Sequence, residues 1–109
     1  MSHQSTPKAP IRLRCEYIEN PLGIDNPHPK LSWILDHDEP NQYQTAYQII
    51  VYRIGHDNFA ECVWDTGQVA SNQSVNVRYE GRSLESGQRY SWRVRWWDAN
   101  GNVSPYSEP

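Results

Sequence analysis

The sequence predicts an all-β domain, a two-sheet antiparallel β-sandwich of about seven short strands. The first reason is period. Apolar residues recur at every second position in several runs, as in Ile11-Arg12-Leu13-Arg14-Cys15, and nothing repeats at the 3.6-residue spacing of a helix. The second is punctuation, with 8 Pro and 6 Gly cutting those runs to strand length. The third is aromatic content: 5 Trp, 7 Tyr and 1 Phe supply core area, at about 150–250 Å² for each buried ring. That area offsets a low mean hydropathy of −0.87 and argues against disorder. At 109 residues the chain has the length of one domain, long enough to core itself without disulfides or metals.

Residues 1–10 are polar, contain two prolines and read as a flexible leader, so the domain is expected over 11–109. From Ile11, alternation sets Ile11, Leu13, Cys15 and Tyr17 on one face of a half-buried strand, with Arg12, Arg14 and Glu16 on the other. Asn20 to Pro29 holds three prolines and a glycine and reads as a loop. Leu31, Trp33 and Leu35 alternate as a second strand, followed by the polar loop Asp36 to Gln42. Thr45 to Ile54 is the longest β-rich run, with Tyr47, Ile49 and Val51 on one face and Gln48, Ile50 and Tyr52 on the other. Val63-Trp64 is a short strand closed by Asp65-Thr66-Gly67, and Val75, Val77 and Tyr79 alternate in the next. Glu80-Gly81-Arg82 then turns the chain toward Leu84.

The last hairpin carries the clearest local pattern. Tyr90, Trp92, Val94 and Trp96 share one face of its first strand, and Ser91, Arg93, Arg95 and Trp97 share the other. Asn100-Gly101, inside Asp98 to Asn102, is the favoured pair for a tight primed turn, returning the chain through Val103 to Ser107. In this frame Trp33, Tyr47, Tyr90 and Trp92 face inward as the structural core.

Charge and motif content exclude several function classes. Ten Lys and Arg against thirteen Asp and Glu give a net charge of −3, without the basic footprint of a nucleic-acid binder. No run approaches the ~20 apolar residues of a membrane span. The N-terminus lacks the apolar segment of a signal peptide, so a cytoplasmic location is expected unless such a signal has been removed. Cys15 and Cys62 are expected as reduced, buried thiols. His3, His28, His37 and His56 are scattered without ligand spacing, so no metal site is expected. No phosphate loop or nucleophile elbow is present, and no cofactor is expected.

Two sets of residues carry a resemblance. Leu84-Glu85-Ser86-Gly87-Gln88-Arg89-Tyr90 resembles the turn entering the sixth strand of fibronectin type III domains, where the tyrosine forms a corner with upstream backbone. A more specific likeness is carried by six pieces in order. These are Asn20-Pro21-Leu22-Gly23-Ile24-Asp25, Pro29-Lys30-Leu31-Ser32-Trp33 and Gln44-Thr45-Ala46-Tyr47-Gln48-Ile49, then Trp64-Asp65-Thr66-Gly67-Gln68-Val69, Tyr90-Ser91-Trp92-Arg93-Val94-Arg95 and Asp98 to Ser107. Together they resemble the N-terminal fibronectin type III or immunoglobulin-like domain of bacterial α-L-rhamnosidases, across about Ile11 to Glu108. Tyr106 stands where that family usually has Trp, and Thr66 where it often has Ser. The resemblance implies a part of a larger multidomain glycoside hydrolase, one removing terminal α-L-rhamnose from glycosides or plant polysaccharides. It also implies that the catalytic carboxylates belong to a helical module elsewhere in such an enzyme.

The residues agree with a non-catalytic role. Glycoside hydrolysis needs two carboxyls about 5–9.5 Å apart across a cleft, one with a raised pKa. Here Asp36, Asp38 and Glu39 fall in a polar loop and Asp65 and Asp98 at strand ends, so no catalytic residue is assigned. The face carrying Arg93, Arg95 and Trp97, with Tyr52 on the neighbouring strand and Tyr106 across the turn, has three readings. It can be a cation–π ladder that stiffens the sheet, a docking surface for other domains of the same polypeptide, or a sugar platform. The expectation is an accessory domain with a structural or inter-domain packing role. The alternatives are a carbohydrate-binding module and a generic fibronectin type III protein-interaction domain.

Overall fold

Six strands form two antiparallel three-stranded sheets: β1 (Lys8–Glu16), β2 (Lys30–Asp36), β3 (Ala46–Ile54), β4 (Ala60–Asp65), β5 (Val77–Arg78) and β6 (Arg89–Trp97). The strand orders are β1-β2-β5 and β4-β3-β6. This computed structural model describes residues 7–16, 29–37, 42–57, 59–82, 84 and 88–108. Residues 1–6 of the expected leader, Tyr17, Asn20 to Asp25, Asp38, Glu39 and the 85–87 part of the turn before Tyr90 lie outside the described residues.

The two sheets close on one another through the residues that alternation aims inward. Leu31 and Trp33 of β2, Val77 of β5 and Tyr79 meet Tyr47, Ile49 and Val51 of β3 and Val94 of β6. Trp33 is 2% exposed and presents its ring edge-on to Tyr47 (centroids 5.3 Å apart) and to Trp92 (6.5 Å), bridging the gap between sheets. Its indole N–H donates to Gln44 Oε1 at 3.1 Å, while Gln44 Nε2 donates to the carbonyls of Ser71 and Gln73. A buried glutamine thus satisfies the tryptophan and ties down the chain ahead of β5.

Three sequence expectations need correction. The strands among the described residues number six rather than about seven, because the segment from Val103 to Ser107 runs beside β6 without becoming a regular strand. Ser104 and Ser107 amides donate to the Trp96 and Val94 carbonyls, both at 2.8 Å. In return, the Trp96 and Val94 amides donate to the Ser104 and Ser107 hydroxyls, both at 3.0 Å. Those hydroxyls stand in for ladder carbonyls across a three-residue step containing Pro105, which has no N–H to give.

The second correction concerns β1, which begins at Lys8, three residues ahead of the expected start. Its register against β2 slips between Lys8 and Ile11 and again between Ile11 and Arg14, and Arg12 sits at φ +51°. Two bulges break the period of two. As a result Pro10 is buried and Leu13 packs on the core, but Ile11 and Cys15 are exposed rather than inward. Cys62 on β4 is exposed as well, so the two thiols are free but not buried.

The third correction is the turn after β6. Gly101 donates to the Asp98 carbonyl, Asp98 donates to the Asn102 carbonyl, and Gly101 alone in this turn has positive φ (+82°). This is a three-residue loop with glycine in the left-handed region. A primed turn would need positive φ at Asn100 too.

Gly81 meets a packing demand. A Cβ there would lie 2.5 Å from Trp64 Cβ and 2.7 Å from Tyr79 Oη. Those two rings stack edge-on at 4.9 Å, and the Tyr79 hydroxyl donates to the Arg82 carbonyl. Gly81→Ala is expected to cost about 1–3 kcal/mol through overpacking, read as a lower urea midpoint by tryptophan fluorescence.

Candidate functional site

The outer face of the β4-β3-β6 sheet brings all five expected surface residues together. Antiparallel register sets Gln48 opposite Arg95 and Ile50 opposite Arg93, with Tyr52 and Trp97 one pair further out at either end. The hydroxyl-clamped segment beyond the hairpin lays the Tyr106 ring across this row. The Arg93 guanidinium lies 5.2 Å from the Tyr52 ring centre and 5.8 Å from that of Tyr106. Arg95 lies 4.6 Å from Tyr106 and 5.1 Å from Trp97. The order is therefore Tyr52, Arg93, Tyr106, Arg95, Trp97, each ring against at least one guanidinium.

Gln48 is the polar node beneath this row. Its Oε1 accepts from Arg95 Nε at 2.9 Å and from the Tyr106 hydroxyl at 3.1 Å, and its Nε2 donates to Asp65 Oδ1 at 2.9 Å. That donation, with the Gly67 amide, outweighs partial burial and holds the Asp65 carboxyl below its ordinary range. Arg93 Nε is buried without a hydrogen-bond partner among the described residues, leaving the flanking rings to meet its charge. Chemically the row can stiffen a sheet face, because each side chain is already engaged by its neighbours.

The core assignments fall in two groups. Trp33 and Tyr47 are buried, whereas Tyr90 and Trp92 are half-buried and pack against the core from its edge. Burial deepens along β6 to Val94 and Trp96, both 0% exposed. Trp96, the most enclosed of the indoles, donates its N–H to the Lys8 carbonyl at 2.9 Å and so links β6 to β1.

Sequence reasoning missed a buried histidine–aspartate contact beside Trp96. His37 Nε2 lies 3.0 Å from Asp98 Oδ2, with side chains only 4% and 0% exposed. The His37 ring also meets the Trp96 ring edge-on at 5.9 Å. Burial pushes the Asp98 carboxyl up, but the Asn102 and Asn100 amides and His37 together outweigh it, and its pKa lies below the ordinary value. An aspartate opening a glycine turn was the available signal; no local pattern joins it to a histidine 61 positions away.

Glu61 is held ionised by Arg82 and Arg53, on the surface of β4. No group of three or more His, Cys, Asp or Glu that could hold a metal occurs among the described residues.

Comparison with known proteins identifies the domain. A family model described as "Rha78A-like, N-terminal immunoglobulin domain" matches residues 10–109. The chain belongs to this family. An α-L-rhamnosidase of Streptomyces avermitilis is 44% identical to this Rha78A-like domain over 94 residues, which make up 86% of the chain and 9% of that protein. A Formosa agariphila α-L-rhamnosidase is 37% identical over 93 residues, 83% of the chain and 10% of that protein. Among solved structures, α-L-rhamnosidase from Dictyoglumus thermophilum superimposes with a TM-score of 0.77 at 44% identity, covering 96% of the chain and 12% of its own. The Streptomyces avermitilis α-L-rhamnosidase complexed with L-rhamnose follows at 0.73 and 39% identity, covering 91% of the chain and 10% of its own. The immunoglobulin-like domain thus spans about a tenth of the length of these relatives.

Proposed function

We propose that this domain is a non-catalytic accessory module of an α-L-rhamnosidase, packing on other domains of the same polypeptide and helping to hold the catalytic unit in place. The observation that carries the reading is the state of three described carboxyls, two on β4 and one in the turn after β6. Glu61, Asp65 and Asp98 are each held below the ordinary carboxyl range by hydrogen bonds or guanidinium groups. A glycosidase general acid needs the opposite shift and a facing carboxylate. The small share of each relative that the chain spans agrees with this division of labour.

The test compares three proteins: the isolated domain, a full-length enzyme carrying it, and that enzyme with the domain deleted. The isolated domain is expected to release no rhamnose from an aryl α-L-rhamnoside, and deletion is expected to lower the melting temperature of the remainder. Rhamnose release by the isolated domain, or a remainder with unchanged stability and activity, would sink the proposal. Carbohydrate binding at the aromatic row is disfavoured because a sugar stacking within it competes with the guanidinium groups already beside Tyr52, Tyr106 and Trp97. An NMR titration with L-rhamnose is accordingly expected to give no saturable shifts around Tyr52 and Trp97.

A further inference from the structure

The outer face of the other sheet, β1-β2-β5, has a different character from the aromatic row. Ile11 and Ile34 are direct cross-strand partners and are 44% and 47% exposed. Val75, 57% exposed, joins Ile34 along one shallow groove, with Arg12 and Arg14 on its rim. Lys30 and Arg78 stand opposite each other in the β2–β5 register. Like charges directly opposite disfavour a strand pair. The face therefore gathers Arg12, Arg14, Lys30 and Arg78 in a chain of net charge −3. Two carboxylate residues fall within its register, Glu16 opposite Lys30 and Asp36 opposite Lys8 at the far end. No ion pair joins Arg12, Arg14 or Arg78 to an acid among the described side chains.

Resting on the accessory reading above, we infer that this face is the domain's docking surface, and that it seats on an apolar, carboxylate-rimmed surface of the same polypeptide. Three considerations select that occupant. A second copy of the domain, meeting face to face across a two-fold axis, would set the cations against themselves. A sugar polymer stacks on flat rings, and the exposed apolar residues here are aliphatic, with no exposed ring among the described residues of the face. The rest of a relative is about ten times the length of this domain and, being tethered, stands at an effective concentration on the order of millimolar. Aliphatic centre and cationic rim then match the usual anatomy of an interface between folded units.

The experiment uses the full-length enzyme that carries the domain. One variant joins Ile11→Asp to Ile34→Asp, a second joins Arg14→Glu to Arg78→Glu, and Phe59→Asp, at an exposed site on the β3–β4 hairpin, is the control. Both face variants are expected to let a protease release the domain roughly tenfold faster, and the control is expected to match wild type. In the isolated domain Arg14→Glu with Arg78→Glu, at exposed sites, is expected to move the melting temperature by no more than about 3 °C. Ile11→Asp with Ile34→Asp sets two carboxylates opposite each other and is expected to lower it further, so the arginine pair carries the comparison of release rates.

Release at the wild-type rate in both face variants overturns the inference, as does equal acceleration by Phe59→Asp. Saturable NMR shifts at Arg12, Arg14 and Arg78 with polygalacturonate oligomers, abolished by Arg14→Glu with Arg78→Glu, would instead assign the face to an acidic polysaccharide. The two proposals fail separately. Indifference of the enzyme to deletion of the whole domain sinks the accessory reading, whereas sensitivity to deletion but not to Ile11→Asp with Ile34→Asp sinks only this face.

Discussion

Trp33→Ala is expected to remove about 3–5 kcal/mol of stability, the cost of deleting a large buried aromatic whose cavity cannot fully collapse. A domain of this size has roughly 5–15 kcal/mol in all, so the urea midpoint should fall by about 2 M or more. The effect is large because Trp33 does two things at once. Its ring spans the gap from β2 to Tyr47 and Trp92 on the facing sheet. Its N–H also satisfies Gln44, which is 2% exposed and anchors the Ser71 and Gln73 carbonyls. Trp33→Phe separates these roles, since it retains most of the ring and leaves Gln44 Oε1 without its donor. That variant should lose about 1–3 kcal/mol, the penalty of one buried unsatisfied polar atom plus a smaller cavity. Equal losses for Phe and Ala would mean that packing between the sheets is not what Trp33 supplies.

The inward face of β3 and much of β6 was legible because a strand buried on one side must alternate, and a slip of one residue would expose every apolar side chain. Tyr47, Ile49, Val51 and Val94 follow that rule without exception. The same regularity placed Tyr52, Arg93, Arg95 and Trp97 on one outer face, so the cation–π row was readable once β3 and β6 were taken as neighbours. Its clamp was only half readable. Ser104 and Ser107 look like a returning strand, yet their hydroxyls act as the acceptors that backbone carbonyls would provide, a choice invisible to residue periodicity.

β1 misled for a related reason. The run from Ile11 to Tyr17 alternates as cleanly as any in the chain, but two bulges change which residues face inward. Bulges depend on the partner strand's register, which single-strand patterning does not contain. Long-range polar pairing was likewise out of reach. Nothing near Gln44 in sequence announces a tryptophan partner, and nothing near His37 announces Asp98. The sandwich was thus legible where burial imposes a period, and illegible where one side chain satisfies a distant polar group.

That distinction makes Asp98 the second informative position. Asp98→Ala is expected to cost about 2–4 kcal/mol at pH 7, because it strips the acceptor from two turn amides and from His37 in a site closed to water. Oδ1 takes the Asn100 and Asn102 amides at 2.9 and 3.0 Å, while Oδ2 faces His37. The pH dependence gives the test its sign. The folded pKa of Asp98 lies below its ordinary value, so its stabilising contribution is complete above about pH 4, the usual unfolded range. It is lost as pH falls through the lower folded value, where protonation removes the charge that those donors share. Urea unfolding of both proteins between pH 7 and pH 2 should therefore show a wide gap at neutrality that narrows in acid, with wild type the steeper of the two. Asp98→Asn, which keeps one carbonyl acceptor for the turn, should fall between them at pH 7. A gap that stays constant down to pH 2 would mean that the ionised carboxylate is not what stabilises this turn, and that Asp98 acts through shape alone.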